Sequence, residues 1–173
     1  MTKDVWVSVK GLHHVKGAGN GSAEDVQDDE VEVFSPGTYH LRNGKHYVEY
    51  EEMDEESGEV MKNRITLRDR HLEVLRRGTI YTKMIFEENS KNVSWYNTPA
   101  GNLLAGFDVG AMQVSESEEL IEITVEYALE LNYEHVSDSR IRIRIMTKDH
   151  LPPLSSLRTP PQRVAAMPSA EGR

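Results

Sequence analysis

The stretch Arg76-Arg77-Gly78, followed by Ile80-x-Thr82-x-Met84-x-Phe86 and then Trp95-Tyr96-Asn97-Thr98-Pro99-Ala100-Gly101, decides the fold. Apolar residues at every second position from 80 to 86 match the two-residue period of a strand with one buried face. The polar run Glu88-Asn89-Ser90-Lys91-Asn92 reads as a turn, and Pro99 with Gly101 reads as a bend. The segment is therefore two β-strands joined by a polar turn, and the chain on either side repeats that pattern.

Working towards the N-terminus, His71 to Arg77 is a strand reached through the turn Arg68-Asp69-Arg70, and Glu59 to Leu67 precedes it after the turn Asp54-Glu55-Glu56-Ser57-Gly58. Lys45 to Met53 is the return strand of a hairpin whose turn is Asn43-Gly44, since a type I′ turn needs positive φ at both positions. Thr38 to Arg42 is its partner. Ser35-Pro36-Gly37 should interrupt that strand, because proline lacks a ladder donor. Val5 to Leu12 alternates valines and is a strand, and the glycine-rich segment 16–23 is a loop without the following Lys-Ser/Thr of a phosphate cradle.

Towards the C-terminus, Asn102 to Ser115 is apolar but broken by Gly106 and Gly110, as expected of a sharply bent barrel strand. Ile121 to Leu131 alternates perfectly, Glu134 to Ser139 is expected to be a polar loop, and Arg140-Ile141-Arg142-Ile143-Arg144-Ile145 closes the series. Beyond that, 148–173 holds five of the seven prolines and no strand periodicity, so residues 1–147 form one domain and 148–173 a proline-rich disordered tail.

No window carries apolar residues at helical spacing. About 8–10 short strands in sequential hairpins would leave two open edges and one bare apolar face if laid flat. Closure removes both problems, so the expected fold is all-β, a single antiparallel up-and-down β-barrel, with a β-sandwich as the competing arrangement. The absence of cysteine excludes disulfides, thiolate metal sites and thiol catalysis. A net charge of −9 argues against nucleic acid as a partner. No apolar run is long enough for a membrane helix and no signal-peptide pattern opens the chain, so no membrane and a cytoplasmic location are expected.

Arg76 shares its parity with Leu72 and Val74 and should point into the barrel. A guanidinium cannot shed its charge there and must be paired. The partner is a glutamate of a neighbouring strand, a cluster of loop carbonyls, or the carboxylate or phosphate of a ligand. Tyr50, Tyr96 and Tyr127 can present hydroxyls into the same interior, and Trp6 and Trp95 are expected to pack. Glu49, Glu51, Glu52, Asp54, Glu55, Glu56 and Glu59 read as a solvated acidic rim without the calcium-loop pattern. Glu122, Glu126 and Glu130 should pair with the stripe Arg140, Arg142, Arg144. The histidines, including His13-His14, have no metal-ligand spacing, and no nucleophile–base arrangement is legible, so no metal, cofactor or catalytic residue is assigned.

Gly37-x-Tyr39, Asn43-Gly44-Lys45-x-Tyr47-x-x-Tyr50-x-Glu52, Arg76-x-Gly78, Met84-x-Phe86, Tyr96-x-Thr98-Pro99-x-Gly101 and Tyr127-x-Leu129, in that order, resemble the YwiB-like family over residues 3–146. The chain departs from that pattern at Ala100, in the 16–23 loop and in the tail. The resemblance implies a calycin-type, lipocalin-like barrel, a bacterial source and no assigned activity. The functional expectation is a non-enzymatic barrel that binds a small apolar or amphipathic ligand through Arg76, Tyr50, Tyr96 and Tyr127. The alternative is a structural or protein-interaction module acting through its outer surface and tail; the oligomeric state is not specified.

Overall fold

The computed structural model describes residues 2–11, 32–54, 57–78, 80–98, 101–150 and Leu157. The 16–23 loop, the His13-His14 pair and the rest of the tail lie outside the described residues. Every regular element among them is a strand: β1 Lys3–Lys10, β2 Ser35–Arg42, β3 Lys45–Met53, β4 Val60–Arg68, β5 His71–Arg77, β6 Thr82–Glu87, β7 Lys91–Thr98, β8 Gly101–Glu116, β9 Leu120–Leu131 and β10 Glu134–Thr147. No helix is long and apolar enough to cross a membrane.

Consecutive strands pair antiparallel from β1 to β6 and from β7 to β10, and β10 returns to β1, placing Val7 opposite Ile145 and Val9 opposite Ile143. The sheet is a ten-stranded, nearly closed up-and-down barrel, consistent with the calycin-like expectation. Its seam lies between β6 and β7, where the one antiparallel bridge among the described residues joins Tyr81, just before β6, to Asn97 of β7. The two strands that opened the sequence reading are thus joined by a turn but not laddered. The start of β7 is tied to β8 instead, where Val109 donates its N–H to the Ser90 carbonyl at 3.0 Å.

One face of every strand fills the bore. Val5, Val7, Val48, Ile65, Leu72, Val74, Ile123, Val125, Ile141 and Ile143 are buried there. Phe86, Phe107 and Tyr127 pack tilted or edge-on at 5.1–5.8 Å between ring centroids, the arrangement favoured by ring quadrupoles. The middle of the barrel is therefore occupied by its own side chains. In β8 the register shifts between Val109 and Ala111, so Ala105, Phe107 and Val109 face inward and Met112 does so again after the bulge. Gly110 sits at that bulge, as its sequence position suggested.

Several expectations need correction. Ser35-Pro36-Gly37 does not interrupt β2. Pro36 lies where β2 is paired on the β1 side alone, so its missing donor is tolerated. Gly37 is needed for closeness rather than a kink, since a Cβ there would sit 2.8 Å from the Glu49 carbonyl oxygen. Glu134 to Ser139 is strand, not loop: the turn is Asn132-Tyr133, both with positive φ, and Val136 forms a bulge. Trp95 points outward and is 63% exposed, while Trp6 is half-buried on the outer face beneath Lys148. Neither tryptophan fills the bore. Arg140 pairs with Glu126, and Arg142 and Arg144 share Glu122, but Glu130 binds Lys91 instead of an arginine. The expectation of a disordered tail is not among these corrections: of 148–173 only 148–150 and Leu157 are described, with His150 3.2 Å from Glu119 and Leu157 in a parallel bridge with Phe34.

Candidate functional site

The register carries one cross-strand row through the inside of the barrel: Gly37, Tyr50, Asn63, Arg76 and Thr82, on β2, β3, β4, β5 and β6 in turn. All five have the inward parity, and the row lies at the end of the barrel where β5 finishes. Tyr50, Asn63 and Thr82 are buried. Glu52, two residues beyond Tyr50 on β3, shares that parity and enters the same space.

Arg76 points inward as its parity requires, with a side chain only 15% exposed, and Glu52, at 14%, is its counter-ion. The Nη2 of Arg76 donates to Oε2 of Glu52 at 3.2 Å, and Nε donates to Oδ1 of Asn63 at 3.3 Å. Asn63 donates to the same Glu52 oxygen at 3.5 Å, and the Met61 sulfur lies 3.8 Å from Nη2. The glutamate expected opposite Arg76 comes from one strand further away than the adjacent β4, with Asn63 spanning the gap. Glu52 therefore does not belong to the solvated acidic rim, whereas Glu49 does face outward, against Arg64 at 2.7 Å.

Two tyrosines complete the pocket. Burial raises the Tyr50 hydroxyl far above the ordinary phenol value, Glu52 raises it further, and Arg76 partly opposes both. Tyr96 is raised by burial and by Tyr127, and again opposed by Arg76. Both hydroxyls thus stay protonated and feel the same guanidinium, one from β3 and one from β7 across the bore. Among the described residues neither hydroxyl, nor Nη1 of Arg76, has a hydrogen-bond partner. Tyr127 lies deeper, against Phe86 and Phe107, with its hydroxyl raised by burial and lowered by Ser139 opposite it on β10.

The four residues singled out from the sequence thus share one interior: Arg76, Tyr50 and Tyr96 at the mouth, Tyr127 in the aromatic floor. Asn63, Glu52 and Thr82 were missed as members. Only Glu52 carried a signal, its parity with Tyr50. Among the described residues no group of three or more His, Asp or Glu gathers as a metal site. Two large concavities among the described residues, ≈ 460 and ≈ 580 Å³, lie on the outer wall, the first lined mainly by outward side chains such as Thr38, Glu49, Arg64 and Leu75.

No curated protein matches the chain. Among solved structures it is similar to the ywiB protein from Bacillus subtilis, at 18% identity and a TM-score of 0.63, covering 84% of this chain and 92% of that one; at that identity the likeness concerns the fold. Residues 15–143 match the domain of unknown function DUF1934. Since this is well over half of the chain, the protein belongs to the DUF1934 family.

Proposed function

We propose that the Arg76 mouth binds the acidic end of a small amphipathic molecule, a carboxylate or phosphate attached to a short apolar body. The observation that carries this is the convergence of three unspent donors, Nη1 of Arg76 and the hydroxyls of Tyr50 and Tyr96, around one retained charge. Glu52 holds Nη2 and Asn63 holds Nε, so the guanidinium is oriented before a ligand arrives. Because Phe86, Phe107 and Tyr127 fill the middle of the bore, the ligand sits at the mouth rather than threading through. The role is binding in the cytoplasm, not catalysis. Native mass spectrometry of protein purified from its host should show an anionic adduct that Arg76→Gln abolishes. A bare mass in repeated preparations, with no uptake of added decanoate or octyl phosphate, would refute it.

A second reading is favoured by one outer-surface observation. Tyr81, Val93 and Trp95 are exposed beside the β6/β7 seam, where two strand edges lack a continuous ladder. An extended segment of a protein partner could pair with such an edge. Trp95→Lys should then reduce recovery of that partner in a pull-down, and deletion of 148–173 tests whether the tail contributes.

A further inference from the structure

A fourth exposed side chain joins Tyr81, Val93 and Trp95 on the outer wall at the seam. Trp95 on β7 lies opposite Leu104 on β8. Asn132 grips Leu104 from the other side: its N–H donates to the Leu104 carbonyl at 2.8 Å, and its side-chain oxygen accepts from the Leu104 N–H at 3.2 Å. These bonds hold the β9–β10 turn against β8, and Tyr133, the next residue of that turn, is 76% exposed. With Tyr81 at 44%, Val93 at 46% and Trp95 at 63%, the four side chains show about 500 Å² of largely apolar surface.

Two of these rings serve neither the core nor the backbone. Tyr133 has a φ of 67°, a left-handed conformation that a bulky residue adopts only at a cost and that glycine or asparagine adopts readily. The turn would form more easily without the tyrosine, and its ring is not in the core. Trp95 leaves its ring in solvent on a strand whose inner face already packs Tyr96 against Phe107. Aromatic rings kept outside, one of them at the expense of backbone strain, point to a contact surface. Its extent fits: a standard interface covers about 800 Å² of each partner, somewhat more than half of it non-polar.

We propose that the partner is a second copy of this chain, docked patch to patch about a two-fold axis with Trp95 and Tyr133 as anchors. This rests on the protein-interaction reading above and names the partner for it. A two-fold contact needs only one patch that complements itself. Lys83 and Lys91, the cations on the outward side of the seam strands, are already neutralised by Glu73 and Glu130. Asn97 and Asn102, opposite each other and exposed at its edge, offer donors and acceptors alike. Such a patch meets its own copy without like-charge repulsion, whereas the net charge of −9 keeps two copies from meeting by acidic faces. Interfaces of this size begin at micromolar affinity, so a Kd of about 10 μM is expected and the dilute chain behaves as the monomer.

The test is sedimentation velocity of the full chain at about 0.5 μM and about 300 μM, either side of that Kd. The expected mass is 19.7 kDa at the lower concentration and approaches twice that at the higher. Trp95→Lys should weaken dimerisation at least tenfold, by removing an anchor and placing a charge at the axis. Tyr133→Asn should weaken it about fivefold while raising the unfolding midpoint of the dilute chain, since asparagine suits the turn; loss of the dimer then cannot be put down to misfolding. Met53→Lys, at an exposed position at the end of β3, should leave dimerisation unchanged. A single monomeric species at both concentrations overturns the proposal, and if Trp95→Lys still lowers recovery of a captured protein, the wider interaction reading stands without it. A dimer indifferent to both Trp95→Lys and Tyr133→Asn, or weakened as much by Met53→Lys, overturns it as well.

Discussion

The separate costs of removing Arg76 and of removing Glu52 should add up to more than the cost of removing the whole ion pair, and the difference measures how tightly the Arg76 mouth is organised. In Arg76→Ala, the Glu52 carboxylate keeps its buried position, 14% exposed, with the Asn63 amide at 3.5 Å as its remaining partner. Stranding one member of a buried pair costs about 3–5 kcal/mol. Access to solvent at the mouth and the residual Asn63 contact lower this to about 2–4 kcal/mol. Glu52→Gln retains an acceptor for Nη2 but leaves Arg76 without its counter-charge, at a cost of about 1–2 kcal/mol. In Arg76→Ala combined with Glu52→Gln no charge remains, and the cost should be smaller than the sum of the single changes by about 1–3 kcal/mol. Urea unfolding of the four proteins at pH 7.5 gives the cycle. The penalty in Arg76→Ala must also shrink as pH falls, because a stranded carboxyl binds a proton more readily in the folded chain than in the unfolded one, so the folded state gains on acidification. Additive single-mutant costs, or a penalty independent of pH, would refute the claim that the two charges compensate each other in a desolvated space.

Three further outcomes can be measured directly. Gly37→Ala should destabilise by about 2–3 kcal/mol in thermal or urea unfolding, because the new methyl group meets the Glu49 carbonyl oxygen at 2.8 Å and the Val7 and Tyr50 side chains at 3.1 Å. Ultraviolet difference titration should find the Tyr50 and Tyr96 hydroxyls still protonated at pH 11. As the folded values of the buried pair are raised, their contribution is complete below the unfolded phenol value of about 10 and is lost as pH climbs above it. Trp95→Lys should leave the unfolding midpoint nearly unchanged, within about 0.5 kcal/mol, and should remove the readily quenched part of the tryptophan fluorescence, since Trp95 is exposed and Trp6 is half-covered. A large loss of stability would mean that Trp95 packs against something in the native protein.

The barrel was legible because alternation is a local signal that survives in every strand from Val5 to Ile145. Asn43-Gly44 was legible for the same reason: φ values of 52° and 71° are what its two residues tolerate best. The turn at Asn132-Tyr133 was not, because tyrosine carries no left-handed signature. That turn is held by tertiary bonds, Asn132 N–H to the Leu104 carbonyl at 2.8 Å and Leu104 N–H to the Asn132 side chain at 3.2 Å, which no reading of neighbours along the chain can supply. Parity placed Arg76, Tyr50, Tyr96 and Tyr127 inside correctly, but a parity rule does not say which inward residues meet across the bore. Glu52 was hidden in an acidic run, and Tyr39, His46 and Glu116 are separated by up to 77 positions although a single line of contacts joins them.

The position of the seam follows from where a barrel can least bear an open edge. β1 and β10 bring the two ends of the ladder series together, and their pairing is rich in valine and isoleucine: Val5, Val7 and Val9 lie opposite Thr147, Ile145 and Ile143. Left open, those edges would expose a contiguous oily strip on strands of 8 and 14 residues, the kind of margin that recruits other chains. β6, at 6 residues, is the shortest strand of the sheet, and the outward positions of β6 and β7 include Lys83 and Lys91, paired with Glu73 on β5 and Glu130 on β9. Charged side chains guard such an edge, and the turn keeps the two strands together without a full ladder. The long-range closure therefore carries the continuous hydrogen bonding, whereas the junction already tethered by sequence can do without it. The seam and the exposed Tyr81, Val93 and Trp95 beside it are where this barrel would yield first under strain.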